Sequence, residues 1–154
     1  MKKFIDASVF MGMHSKDEST RITCKNFFIE HLDQVIYMSL ENVGKCDDIV
    51  WQFDRETQDL YYPFMDRLHT VMDIQRVEYT QSDLDFIPNN NGLSTFQELT
   101  CSQAVNDKLL TLDKDLLALN LSHIKAPETH NNEKTFPGDL EDFYKDSLVL
   151  RLEI

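Results

Sequence analysis

Apolar and polar positions alternate along this chain in blocks whose period changes repeatedly. Phe4-Ile5 form a short apolar run that Asp6 interrupts, a pattern that predicts a buried strand with a carboxylate at its carboxyl end. Ser19-Thr20 offer a cap for a helix running to about His31, with Ile22, Phe27, Phe28 and Leu32 as its apolar stripe. Val35-Ile36-Tyr37-Met38 read as a second strand. Ser39 caps the helix after it, in which Leu40, Val43, Cys46, Val50 and Phe53 recur at helical spacing and Glu41 sits in the first turn. A third helix is predicted over residues 56–73 from Leu60, Phe64, Leu68 and Val71, and a third strand over residues 74–80. Pro88-Asn89-Asn90-Asn91-Gly92 is the plainest loop. Helix resumes over residues 93–106, followed by a strand over residues 108–111 and a short helix over residues 113–120.

Strands alternating with helices predict an α/β domain of three layers, α/β/α, with a mainly parallel central sheet, because parallel pairing requires helical crossovers. In such sheets the binding crevice forms at the carboxyl ends of the strands. Asp6, Glu41 and Asp113 all fall at those ends. Clustered carboxylates repel unless a cation lies between them, and hard oxygen ligands suit Mg²⁺ or Mn²⁺.

The length of 154 residues suits one globular domain. Its net charge is −12, with the acid concentrated between residues 31 and 100. A protein that grips long nucleic acid by its phosphates normally has the opposite balance, so RNA would have to be held by local basic groups or a metal. No window approaches the length of an apolar membrane span, and Asp6 interrupts any signal-peptide core, so no membrane association and a cytoplasmic location are expected. Cys24, Cys46 and Cys101 are too widely spaced for a zinc knuckle and read as buried thiols.

Phe4-Ile5-Asp6-Ala7-Ser8-Val9-Phe10 resembles the first strand and following Asp-x-Asn/Ser motif of the PIN domains, a family of metal-dependent nucleases that includes bacterial toxin ribonucleases. Glu41 matches the family's second acid, and Thr111-Leu112-Asp113 resembles the segment carrying its last. The resemblance covers residues 3–120. It implies a PIN-like fold, cleavage of single-stranded RNA, Asp6, Glu41 and Asp113 as catalytic metal ligands for Mg²⁺ or Mn²⁺, and RNA and a protein antitoxin as partners. One family acid, expected near Ser94 and Thr95, is absent, and Glu98 one turn on is the proposed replacement.

Several of these residues also suit a second reading. Glu41 also suits a helix dipole, and Asp113 suits a helix cap. Ser8 either caps a helix or orients Asp6, and Asp115 reads as a solvated helix residue or, less commonly, as a residue that supports a metal ligand. The missing acid and the negative charge favour a PIN-like interaction module without catalysis, while a small-molecule enzyme could use the same crevice. The five histidines (His14, His31, His69, His123, His130) read as surface residues, and Trp51, Tyr61, Tyr62 and Phe64 as core. Residues 121–154 form a C-terminal extension in which Leu148, Leu150, Leu152 and Ile154 alternate like a half-buried strand, an edge strand or a homodimer contact.

Overall fold

A computed structural model of the chain describes residues 1–85 and 92–154. In order along the chain it contains β1 (Lys3–Ile5), α1 (Ala7–Gly12), α2 (Glu18–Glu30), β2 (Val35–Ser39), α3 (Leu40–Trp51), α4 (Arg55–Val71), β3 (Asp73–Val77), α5 (Gln81–Asp85), α6 (Thr95–Gln103), β4 (Lys108–Leu110), α7 (Lys114–Leu117), β5 (Ile124–Lys125) and α8 (Leu140–Ser147). Among the described residues the strands form one five-stranded sheet in the order β3-β2-β1-β4-β5. Every pairing in it is parallel.

Alternation along each strand sends neighbouring side chains to opposite faces. Ile5, Ile36, Met38, Ile74 and Leu110 enter one core with α1, α2, α3, α4 and α8. Phe4, Leu109 and Ile124 enter a second, smaller core with Cys101 and Ala104 of the α6 region and Leu116 of α7. The result is a three-layer α/β/α sandwich, as the alternation of elements predicts. From β1 the chain works outward through β2 and β3 on one side and through β4 and β5 on the other. The strand order therefore reverses between β1 and β4, and a crevice opens there.

Several local expectations need correction. Between Asp6 and Ser19 the pattern offers only a helix cap at Ser8 and no helical period, yet α1 follows β1 directly, because the Asp6 carboxylate accepts from the backbone N–H groups of Ser8 and Val9 and turns the chain into a helix. α1 escapes detection because Ala7, Val9, Phe10, Met11 and Gly12 are all buried, which erases the helical period. Asp17, not Ser19-Thr20, caps α2. The loop expected at Pro88 to Gly92 lies, apart from Gly92, outside the described residues. The edge strand contributed by the C-terminal extension is β5, not residues 148–154, of which Leu152 alone forms a bridge, with Ser15. Leu150 and Leu152 are nonetheless buried. His14 is fully buried rather than at the surface, whereas Trp51 is 69% exposed rather than in the core. The three cysteines are buried and unpaired.

The C-terminal extension is fastened to α2 by charge. Glu133 pairs with Arg21 at 2.6 Å and with Lys25 at 2.6 Å, and Lys25, only 1% exposed, also reaches Glu141 at 3.0 Å. Beneath this clamp Tyr144 packs edge-on against Phe64 and Phe136. No described helix is long and apolar enough to cross a membrane.

Candidate functional site

The crevice at the carboxyl ends of β1 and β4 has a volume of about 460 Å³ and is lined by side chains from four segments distant in sequence. Asp6 lies at its base, 5% exposed. Its Oδ1 accepts from the Ser8 hydroxyl at 2.5 Å, from Ser8 N at 3.1 Å and from Val9 N at 3.4 Å, and its Oδ2 accepts from the Thr111 hydroxyl. Burial nevertheless outweighs these bonds and raises the Asp6 pKa above the ordinary carboxylate value, with the nearby charge of Asp113 adding to the rise. Ser8 therefore orients Asp6, and the cap is Asp6 itself.

The same hydroxyls stitch the two loops together. Ser8 Oγ accepts from Leu112 N at 2.8 Å, and Thr111 Oγ1 accepts from Asp113 N at 2.9 Å. Asp113 caps α7 by accepting from Asp115 N at 2.9 Å and Leu116 N at 3.3 Å. Its other oxygen accepts from Gln97 Nε2 at 3.0 Å, and the same amide nitrogen also donates to Asp115 at 3.0 Å.

Of the four acids singled out in the sequence, the fold brings Asp6 and Asp113 to one crevice. Glu41 is exposed in the first turn of α3 and does not line it. Glu98 is 8% exposed on α6 and does not line it either. The residues that line the crevice from these two helices are their neighbours, Asn42 and Gln97. Asn42 is buried and fully engaged: its Oδ1 accepts from Ala7 N at 2.9 Å, and its Nδ2 donates to Ser39 at 2.9 Å and to Thr100 at 3.2 Å. A local signal marks both residues. Each lies three positions after a serine cap, Ser39 and Ser94, which is the capping-box position. Gln97 completes the box, its Oε1 accepting from Ser94 N at 2.8 Å.

Lys45, one turn beyond Asn42 on α3, also lines the crevice, with its ammonium 5.6 Å from the centre of the Phe96 ring. The lining thus carries two carboxylates, two carboxamides and one ammonium. A Mg²⁺ or Mn²⁺ site gathers several oxygen ligands around one point. Here both Asp6 oxygens already accept from hydroxyl or amide donors, and Gln97 presents an N–H donor, not a further carboxylate, toward Asp113. Among the described residues no three His, Cys, Asp or Glu side chains are grouped to hold a metal ion. Two carboxylates, Asp6 and Asp113, line the crevice, fewer than a two-metal site draws on.

The architecture defines a three-layer α/β/α protein with an all-parallel sheet, and the same fold occurs in the protein described as "Crystal structure of PAE2754 from Pyrobaculum aerophilum". That chain is similar at a TM-score of 0.56, with 13% identity over 81% of this chain and 83% of its own, a likeness of fold. Residues 1–154 match the "Family of unknown function (DUF6190)", and the chain belongs to that family. No curated protein matches the sequence.

Proposed function

We propose that this chain is a PIN-like domain that has exchanged metal-dependent cleavage for binding, and that it acts as an interaction module. The observation that carries this reading is Gln97, whose amide bridges Asp113 and Asp115 and so offsets part of the repulsion that a divalent ion would otherwise relieve. Asn42, locked to Ser39, Thr100 and Ala7, supports it from the opposite helix. The net charge of −12 favours a basic polypeptide over RNA as the partner.

A second reading keeps the catalytic role expected from the sequence. In it Asp6 and Asp113, which share the crevice, retain one Mg²⁺ or Mn²⁺ ion and support weak endoribonuclease activity.

One experiment separates the two. Purified protein is incubated with a mixed panel of single-stranded RNA oligonucleotides in Mn²⁺ or in EDTA, beside an Asp6→Asn variant, and Mn²⁺ binding is followed by titration calorimetry. The interaction module predicts no Mn²⁺-dependent cleavage and no binding at millimolar Mn²⁺. Cleavage that requires Mn²⁺ and disappears in Asp6→Asn would overturn it in favour of the nuclease.

A further inference from the structure

A second cavity, of about 290 Å³, lies between α3, α4 and the β2–β3 side of the sheet. It belongs to a different part of the molecule from the Asp6 crevice and shares no lining residue with it. Phe10, Met65 and Ile74 supply apolar walls, while Trp51, Tyr62 and Asp47 add two aromatic rings and one carboxylate.

Two features make this cavity more than a packing fault. An apolar cavity of about half this volume takes up benzene, so there is room for an aromatic ring and a short chain. Asp47 accepts from the Tyr62 hydroxyl at 3.2 Å, so the carboxylate is held against aromatic surface at a half-buried position. Among the described residues no ion pair involves it. A carboxylate beside tryptophan and tyrosine rings suits an organic ammonium, which can gain both Coulombic and cation–π attraction there. Arg76 also lines the cavity but is exposed, and its charge is screened by water.

We infer that this cavity binds a small organic amine: an aromatic or aliphatic body seated among Phe10, Met65 and Ile74, with its ammonium at Asp47 between Trp51 and Tyr62. Trp51 is the chain's single tryptophan and lines this cavity, so its emission is a probe placed at the site.

The test titrates the full chain with 2-phenylethylamine, 2-phenylethanol and 3-phenylpropionate, which share a body and differ in charge. Saturable change in Trp51 emission is expected for the amine, with the alcohol and the carboxylate about tenfold weaker or worse. Asp47→Asn, whose amide oxygen still accepts from Tyr62, should bring the amine down to the level of the alcohol. Val43→Phe, which fills the cavity, should abolish binding, with far-ultraviolet circular dichroism verifying that both variants are folded. The inference fails if no probe saturates, if the amine binds no tighter than the alcohol or the carboxylate, if Asp47→Asn keeps the preference for the amine, or if folded Val43→Phe still binds it. None of these outcomes depends on whether the Asp6 crevice cleaves RNA.

Discussion

The hydroxyl of Thr111 donates to the carboxylate of Asp6, joining the ends of β1 and β4 across 105 residues of sequence. The bond holds the two central strands at the point where the strand order reverses, and it partly compensates the burial of a carboxylate. Thr111→Val removes this donor and also the acceptor of Asp113 N. A loss of about 1–3 kcal/mol at neutral pH is expected, because a buried charged group loses a partner. Urea denaturation at pH 7 measures it. An unchanged midpoint would mean that the Ser8–Leu112 bond and the strand pairing hold the two loops without Thr111.

Asp6→Asn has the opposite expected sign. Burial raises the folded pKa of Asp6 above its unfolded value near 3.8, so the folded state binds the proton more tightly. The carboxylate therefore opposes folding increasingly as pH rises from 3.8 through its folded pKa. The neutral amide still caps α1, and a melting temperature a few degrees above the unmodified protein is expected at pH 7, with the gain shrinking toward pH 4. Thermal melts across this range test it, and a gain independent of pH would assign it to something other than charge.

Gln97→Glu tests the amide bridge. It replaces a donor shared by Asp113 and Asp115 with a third carboxylate, so the melting temperature should fall by several degrees at pH 7. Millimolar Mn²⁺ should restore much of that loss in the variant while leaving the unmodified protein unmoved, since an ion then has three acids to bind. Equal Mn²⁺ shifts in both proteins would show that the crevice holds the ion without a third acid.

Acid should loosen the C-terminal clamp. Glu133, held by Arg21 and Lys25, has its pKa depressed from 4.5 to about 2, so its stabilising contribution is present above pH 4.5 and is lost as pH falls from there toward 2. His14, driven down from 6.5 to about 3 by burial, acts over a higher range: folding excludes its proton, and stability declines once pH falls below 6.5. Glu133→Gln should flatten the lower part of the stability curve only. Lys25→Met leaves the nearly buried Glu141 without its cation, while the half-exposed Glu133 keeps Arg21, and should cost about 3 kcal/mol at pH 7. A variant that melts with the unmodified protein would reduce the clamp to a surface contact.

Gly12 is the place where α1 approaches α2. A Cβ there would lie 2.5 Å from the sulfur of Cys24 and 3.1 Å from Leu112. Gly12→Ala should destabilise the fold by about 1–3 kcal/mol through overpacking, and Cys24→Ala in the same chain should recover part of it. Additive losses in the double variant would locate the strain elsewhere.

Local chemistry made much of this molecule legible from its sequence alone. The alternation of elements, the parallel sheet, the strand-terminal position of Asp6 and the Ser39 cap of α3 all rest on period and capping, which act over a few residues. The tertiary structure decided which side chains meet. Successive residues on a helix differ by about a quarter turn, so the docking of α3 and α6 against the sheet determines that Asn42 and Gln97 line the crevice rather than Glu41 and Glu98, a rotation no local pattern encodes. The same holds for α1, hidden because burial on every side removes its amphipathic period, and for Trp51, whose helical spacing suits a core although its face of α3 is exposed. Charge at the crevice is a property of the packed molecule: Asp6 and Asp113 share it because strand order sets β1 beside β4, and Lys45 joins them because it lies one turn beyond Asn42 on α3.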